Sequence, residues 1–421
     1  MKNCTFTITP QSTFSNLFQD ETDTRHKTHD TRLTTQDSRH KTILNRTHLL
    51  QLFLFVLTLI TTSLAGAEWM FGNVFILVDN PLGWTHFWQG FQFSIPFLGI
   101  LTVHEFGHYF TAKAHQVKVS LPYYIPLWFG LGQSIGTMGA FIRIQEVIRS
   151  RKKYFDIGIA GPLAGFVVAL GVLWVGFANL PTLDYIFKIH PEYQKYGMGF
   201  ARIVYDKNKM SGNILLGDNI LFWFFKTYVA DPSRLPNPYE MIHYPLILAG
   251  YLALFFTSLN LIPIGQLDGG HVLYGLIGNR AHRAITPVLF WIFVAYAGLG
   301  MFKPDDFKVA TDELFWQKMS YLAFYIFFLH WCFSRVSENP QTSWLLALSV
   351  VVAQFGVSFV WPAAVGYDGF MVFAFLLGRV LGVYHPPTDD DQPLNWQRKA
   401  LGWFALLVFV LCFSPKPFVV L

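Results

Sequence analysis

Long apolar stretches recur along most of this 421-residue chain and limit the folds open to it more than any other feature. A helix of about 20 apolar residues spans the hydrocarbon core of a bilayer. Only 14% of the residues are charged, whereas a soluble domain carries about a quarter. The sequence therefore predicts an all-α polytopic membrane protein that is embedded in a lipid bilayer.

The apolar stretches predict about nine transmembrane helices, since each is close to the length that crosses a bilayer. Residues 1–48, in contrast, are polar, repeat an Arg-His-Lys-Thr motif and show no recurring apolar face. That composition predicts a disordered cytoplasmic tail. The predicted helices lie near residues 49–65, 86–112, 157–178, 244–264, 284–301, 317–334, 343–361, 367–383 and 400–413.

Basic residues near the ends of these helices set the expected orientation in the membrane. The N-terminal tail is basic, and the loop 113–155 contains a run of Lys and Arg at 149–153. Because loops rich in Lys and Arg stay on the cytoplasmic side, both segments are predicted to be cytoplasmic and the loop 179–243 extracytoplasmic. This distribution accounts for the net charge of +5 without a nucleic-acid partner. The N-terminus shows no recognisable transit or signal segment, so we expect a bacterial inner (plasma) membrane.

An H-E-x-x-H motif lies at residues 104–108, inside the second predicted helix. On a helix, His104 and His108 are one turn apart and share a face, so both imidazoles can reach one Zn²⁺ ion. Glu105 lies beside them, where its carboxylate can accept a proton from water. Ionisable side chains are costly inside a membrane and usually mark functional positions. The motif therefore predicts a metal site within the bilayer.

Two imidazoles leave a zinc ion in need of a further protein ligand, and Asp268 is the best candidate. It follows a Pro-Gly break in an apolar stretch, and the flanking Gly269 and Gly270 allow close approach of the backbone. The alternative is that Asp268 only ends a helix. The three cysteines are far apart and odd in number, which indicates neither a disulfide framework nor a cysteine metal site.

Further polar residues lie near these motifs. Asn260 stands within an apolar stretch and would donate a hydrogen bond either to the substrate or to a neighbouring helix. His115, His243 and His271 are interpreted as loop residues or as supports of the site rather than as ligands. His385 stands close to three aspartates, a composition that we interpret as a solvated loop rather than a metal site.

The segment 119–145 is rich in Gly and Pro and cannot be one helix. Alternation of side chains over 138–144 predicts a short strand pair. Irregular backbone at membrane depth persists only where it packs on protein or lines a cavity. The segment is therefore either an interfacial loop or a membrane-associated, re-entrant β-hairpin whose open edge pairs with an extended peptide.

Three motifs in combination resemble the site-2 protease family of intramembrane zinc metalloproteases. They are the H-E-x-x-H motif, the sequence Gly-Pro-Leu-Ala-Gly at 161–165, and an N-x-x-P-x-x-x-x-D-G pattern at 260–269. The resemblance covers roughly residues 85–275. It extends to the Gly-rich segment 119–145, which is similar to the membrane-embedded hairpin that presents substrate in this family.

The resemblance implies a role for each motif residue. His104, His108 and Asp268 would hold one Zn²⁺ per chain. Glu105 would be the catalytic base, and Asn260 would help to hold the substrate strand or the oxyanion. The implied activity is that of an intramembrane zinc-dependent endopeptidase, which hydrolyses peptide bonds in or near the transmembrane segments of a membrane protein or peptide, as in regulated intramembrane proteolysis.

The same resemblance predicts how the chain divides into parts. The loop 179–243 is too short for an independent PDZ domain, so we expect the subgroup of the family that lacks one. The predicted parts are the tail 1–48, the first span with its connection 49–84, the catalytic core 85–283 and an additional C-terminal helical bundle 284–421.

Two other functions fit parts of the pattern. A membrane metal or solute transporter can use the same His/Asp cluster along its path. Transporters often contain repeated groups of membrane helices, which this sequence does not show, and a transporter gives Glu105 no task. A catalytically inactive scaffold does not need the complete set of motif residues. The endopeptidase is therefore favoured, and the sequence indicates no oligomeric state.

Overall fold

Helices make up most of the structure, as the apolar stretches predict. The computed structural model describes residues 25–76, 78, 81–130, 132, 134–205, 214–309 and 311–420, with side chains from residue 46 onward. The α-helices are α1 Arg25–Phe71, α2 Trp84–Ala114, α3 Arg151–Ala178, α4 Ile186–Ile189, α5 Ala201–Val204, α6 Ile220–Phe224, α7 Pro245–Asn260, α8 Asp268–Ala297, α9 Asp312–Phe333, α10 Pro340–Val360, α11 Phe370–Phe375 and α12 Trp396–Cys412.

Short elements complete the structure. Segments of 3₁₀ helix occupy Leu183–Tyr185, Pro191–Gly199, Pro238–His243 and Pro304–Phe307, and π-helical turns occupy Phe225–Val229 and Leu376–Leu381. The strands are β1 Tyr123–Leu127, β2 Gly136–Phe141, β3 Ile214–Leu216 and β4 Phe418–Val420. The chain divides into two units, one ending at Leu52 and one running from Phe53 to Leu421.

Helix α1 begins at Arg25, inside the segment 1–48 that the sequence predicts to be a disordered tail. Residues 25–48 are helical instead. Once a helix exists, each added residue gains a hydrogen bond without a new nucleation cost, so a polar segment can continue an apolar helix. Residues 1–24 of the predicted tail lie outside the described part of the chain.

Three of the described helices are both long and apolar enough to cross a membrane. They are Arg46–Phe71 within α1, α3 Arg151–Ala178 and α10 Pro340–Val360. All three coincide with predicted spans, which supports an integral membrane protein. The other predicted spans correspond to helices that are shorter or carry more polar residues, as α2 does with its histidines, and they stay predictions.

Helix α3 lies among the helices that carry the sequence motifs and packs against α2, α7 and α8. Phe166 and Leu173 of α3 belong to one buried apolar cluster with Tyr251 and Leu252 of α7. Within a bilayer, such close side-chain packing stabilises helix association through van der Waals contact. Helix α8, which is kinked at Gly278, carries the chain from this group into a second apolar cluster that it shares with α9, α10 and α11.

The strand pair predicted in the Gly-rich segment is present. Strands β1 and β2 pair antiparallel, with Tyr123 opposite Phe141 and Leu127 opposite Gly136. Two hydrogen bonds tie the hairpin to neighbouring helices: the hydroxyls of Thr102 and Tyr124 lie 2.8 Å apart, and the hydroxyl of Thr61 donates to the Gly136 carbonyl at 2.7 Å. The hairpin is therefore fixed beside the helix that carries the H-E-x-x-H motif.

The loop 179–243 contains more apolar structure than its sequence predicts. The helical segment Ile220–Val229 buries Phe222 and Phe225, whose rings contact Phe177 of α3. Strand β3 then pairs antiparallel with β4 near the C-terminus. This ten-residue apolar run is too short to span a bilayer, which is why it is grouped with the loop in the sequence.

Candidate active site

Helix α2 presents two imidazoles to one point in the protein interior. His104 and His108 are buried and one turn apart, and their Nε2 atoms lie 3.1 Å from each other. Asp268, the first residue of α8, brings its Oδ2 atom to 3.6 Å from His104 Nε2 and 3.3 Å from His108 Nε2. These three residues, called the helix cluster below, each offer one ligand atom within 4.8 Å of the others.

A hydrogen bond on the side of the ring away from the cluster orients the imidazole of His108. Its Nδ1 donates a hydrogen bond to the Ile157 carbonyl at 2.7 Å. A carbonyl oxygen can only accept, so the proton of the neutral ring resides on Nδ1 and the lone pair of Nε2 points into the cluster. That is the tautomer a metal ligand requires.

The Gly-Pro-Leu-Ala-Gly sequence of α3 makes room for the imidazoles. A Cβ atom on Gly161 would clash with the His108 ring, and one on Gly165 would lie 3.1 Å from His104 Cβ. Glycines spaced four residues apart on a membrane helix usually allow close helix packing. Their observed task is more specific, because each glycine faces one imidazole.

A tight break in the chain brings Asp268 to the cluster. Helix α7 ends at Asn260, and α8 begins at Asp268 after a short turn. A Cβ atom on Gly269 would clash with the Leu261 carbonyl, so the chain can fold back on itself only with glycine there. The close backbone approach that the sequence predicts for the Asp-Gly-Gly run is observed.

Glu105 and Asn260 stand beside the helix cluster. Glu105 is buried, with 4% of its surface exposed, and it lines the same cavity as the cluster residues. Asn260 brings its Nδ2 atom to 3.4 Å from His104 Nε2. All five residues named as site residues from the sequence are therefore assembled at one place.

The cavity at the cluster has a volume of about 290 Å³ and is bordered by the end of the hairpin. Among the described residues, β2 pairs only with β1, so its other edge has no strand partner. The chain that leaves β2 continues along the cavity. The hairpin residues that line it are Ala140, Phe141, Ile142 and Ile144.

A second pair of histidines, His271 and His385, lies near this cavity, and only His271 lines it. His385 lies in a segment expected to be a solvated loop. His271 Nδ1 lies 2.8 Å from Nε2 of His385, which is only 2% exposed and stacks on Tyr274 at 3.9 Å between ring centroids. The expectation for His385 is therefore wrong. Asp391, one of the aspartates that follow it, contacts Arg151 of α3 at 3.3 Å, so the segment packs on the helices.

The other histidines singled out in the sequence lie elsewhere. His115 contacts Asp156 at 2.9 Å, and His243 belongs to a separate group of ionisable residues. Neither lines the cavity of the helix cluster. No sequence motif distinguishes these residues from ordinary loop histidines.

Comparison with known proteins gives a consistent set of relatives. Residues 92–300 match the profile of "Peptidase family M50". The chain is 30% identical over 191 residues to "Probable zinc metalloprotease EGY1, chloroplastic" of Oryza sativa subsp. japonica, which covers 44% of this chain and 28% of that one. It is 28% identical over 216 residues to "Probable zinc metalloprotease EGY2, chloroplastic" of Oryza sativa subsp. indica, covering 51% and 33%.

A third relative is "Probable zinc metalloprotease EGY1, chloroplastic" of Arabidopsis thaliana, 29% identical over 190 residues, or 44% of this chain and 29% of that one. The chain thus matches no more than a third of the length of these relatives. No solved structure matches.

Proposed function

Because the chain belongs to the M50 (site-2 protease) family through residues 92–300, we propose that it is an intramembrane zinc-dependent endopeptidase. The observation that carries the proposal is the assembly of the helix cluster, Glu105 and Asn260 around one buried cavity. Its substrate would be a transmembrane segment of a membrane protein or peptide.

The donor set of the helix cluster suits zinc. His104, His108 and Asp268 supply two imidazole nitrogens and a carboxylate oxygen, a combination typical of catalytic zinc sites. The hydrogen bond from His108 to Ile157 has the form that orients zinc ligands. We infer that these three residues hold one Zn²⁺ per chain. When bound, zinc polarises the scissile carbonyl and lowers the pKa of the attacking water.

Glu105 is proposed to move the proton. It directly follows His104 in the chain and is buried beside the cluster, where it can accept a proton from the attacking water and deliver it to the leaving amine. Asn260 carries an amide donor close to His104. We propose that this amide stabilises the oxyanion or holds the substrate backbone.

The hairpin is proposed to hold the substrate in an extended form. A transmembrane helix exposes no free carbonyl to attack, because its backbone is hydrogen-bonded internally. The substrate must therefore unwind, and the unpaired edge of β2 beside the cavity offers new backbone partners. Helix-breaking residues in the substrate should favour cleavage.

The arrangement in the membrane is also a proposal. We propose about nine spans, with the N-terminus and the active-site end in the cytoplasm, on the strength of apolar segment lengths and of the basic run at 149–153. The named relatives are chloroplastic. No observation favours the transporter that the sequence leaves as an alternative.

One experiment tests the proposed function directly. Wild-type protein and the Glu105→Gln variant are purified in detergent, their zinc content is measured, and each is incubated with a model transmembrane substrate. We expect equal zinc content and loss of cleavage only in the variant. Glu146→Gln, at an exposed site on the connection to α3, serves as the matched control. Unchanged cleavage by Glu105→Gln would exclude the proposed mechanism.

A further inference from the structure

A second group of potential metal ligands lies in the loop 179–243 and at its end. Among the described residues, His190, Glu240 and His243 also offer ligand atoms within 4.8 Å of one another. These three residues are called the loop cluster below. Glu240 and His243 are 1% and 4% exposed, and the His190 side chain is 21% exposed. The family motifs include none of them.

The ligand atoms of the loop cluster converge on one point. His190 Nε2 lies 3.4 Å from His243 Nε2, and His243 Nε2 lies 3.3 Å from Glu240 Oε2. Both imidazoles also line a cavity of about 300 Å³, which gives an ion a route to the cluster and leaves room for a water ligand. Two imidazole nitrogens and a carboxylate oxygen are ligands that zinc and similar ions prefer.

Hydrogen bonds behind both rings set their tautomers. His243 Nδ1 lies 2.8 Å from the Met70 carbonyl, and His190 Nδ1 lies 3.0 Å from Glu192 Oε1. Carbonyls and carboxylates only accept, so each neutral ring carries its proton on Nδ1. Both Nε2 atoms therefore present lone pairs to each other and to a carboxylate. That arrangement is repulsive unless a cation or an extra proton lies between them.

The carboxylate of Glu240 receives no hydrogen bond from the described residues, even though both of its oxygens are buried. A buried carboxylate without hydrogen-bond partners is costly. Every buried polar group of this kind needs an explanation, and an unseen ion is a common one.

We propose that the loop cluster is a second metal site, which binds one divalent transition-metal ion, Zn²⁺ being the best fit to its ligands. The ion would link three parts of the chain: the loop at His190, the turn before α7 at Glu240 and His243, and the end of α1 through Met70. Its role is structural, because it closes a loop of the chain whose ends are far apart in sequence. This proposal does not depend on peptidase activity.

Metal stoichiometry tests the site. The full chain is purified with a tag that contains no histidine, incubated with Zn²⁺ alone, desalted, and analysed for zinc per chain. We expect the His190→Ala and Glu240→Gln variants each to hold one zinc fewer than the wild type, with peptidase activity retained. His86→Ala, another partly exposed histidine outside both clusters, is the matched control and should keep the full content.

A milder variant separates metal binding from a simple packing role. Glu192→Gln keeps the shape of the residue behind His190 and weakens only the orienting contact, so it should lower zinc affinity about 10-fold. Limited trypsin digestion supplies a second readout, because Lys195 and Arg202 are exposed in the loop. Added Zn²⁺ should slow cleavage there several-fold in the wild type and have no effect in His190→Ala.

Each outcome decides the proposal. A zinc content that is equal in wild type and His190→Ala would overturn it, whether or not the helix cluster is occupied, because the measurement is a difference between the two proteins. Equal trypsin rates with and without Zn²⁺ in the wild type would overturn the structural role. Loss of one zinc together with loss of protection in His190→Ala would support both.

Discussion

The helix cluster and the loop cluster use the same ligand types in very different settings. Each combines two imidazoles with one carboxylate, and the Nε2 atoms are 3.1 Å apart in the first and 3.4 Å apart in the second. In each, one ring donates to a backbone carbonyl, Ile157 or Met70. A metal-binding set of residues therefore does not by itself define an active site.

The difference lies in what surrounds the ligands. The helix cluster has Glu105 and Asn260 beside it and faces a cavity bordered by β2, whose outer edge has no strand partner in the described part of the chain. These additions supply a proton acceptor, a hydrogen-bond donor and a place for an extended peptide. At the loop cluster the extra carboxylate, Glu192, lies behind a ring and orients it. The helix cluster therefore has the additional groups that catalysis needs, whereas the loop cluster has only groups that hold a metal ion.

The largest expected effect tests this division of roles. Glu105→Gln removes the proton acceptor and leaves the three ligands intact, so kcat/KM for a model transmembrane substrate should fall about 1,000-fold at unchanged zinc content. Glu240→Gln should do the reverse, with zinc lost and cleavage kept. Cleavage rates and zinc content measured on both variants check the contrast, which fails if both lose activity to the same degree.

A glycine substitution gives the next largest effect. Gly161→Ala would push a methyl group into the His108 ring, which cannot yield because Ile157 holds its Nδ1. We expect zinc affinity and activity to fall about 10- to 100-fold, as when a metal ligand loses its orientation. Gly171→Ala is the matched control, since it lies on the same helix and a Cβ there meets nothing within 4 Å.

Zinc titrations of the two alanine variants measure this effect. Gly171→Ala should match the wild type, and the zinc content of the loop cluster should be the same in both. Equal affinities in Gly161→Ala and Gly171→Ala would contradict the role assigned to the Gly-Pro-Leu-Ala-Gly sequence.

The substrate provides a third and smaller test. Proline costs about 3 kcal/mol in a helix interior, so a model substrate with a central Gly-Pro pair has already lost much of the helix that must unwind. We expect it to be cleaved about 10-fold faster than the same span with Leu at both positions. The full 3 kcal/mol is not gained, because pairing with the strand edge already offsets part of the cost of unwinding the Leu substrate. Equal cleavage rates would show that the hairpin does not act on unwound substrate.

Local sequence spacing made the helix cluster largely predictable. The four-residue spacing of His104 and His108 places both rings on one face of any helix, and the break before Asp268 allows close approach. The hairpin also follows from alternation and from Gly and Pro positions. The orientation of His108 by Ile157 could not be predicted, because it depends on how α2 and α3 pack.

The loop cluster and the burial of His385 could not be predicted, because they depend on contacts between residues far apart in the sequence. His190 and His243 are separated by 53 positions, and only the three-residue spacing of Glu240 and His243 is a local signal. That spacing is common on exposed helices. Likewise, nothing local marks His385 as buried, since three aspartates follow it at 389–391 and its partner His271 is 114 positions away. Burial of these residues is a property of the packed helices and cannot be read from the segment alone.

The smallest expected effect concerns metal content. The pair His271 and His385, which belongs to neither cluster, serves as the reference. His271 and His385 are as close as the rings of the two clusters, but His385 Nε2 is already hydrogen-bonded to His271 Nδ1, and neither residue joins a metal-binding group among the described residues. His385→Ala should therefore leave zinc content unchanged. It should lower the free energy of unfolding by about 2 kcal/mol, because a buried ring stacked on Tyr274 is lost. Zinc analysis and thermal unfolding in detergent, with His86→Ala as control, measure both quantities. A drop in zinc content would show that two neighbouring imidazoles bind metal here without a carboxylate, and the comparison between the clusters would then lose its basis.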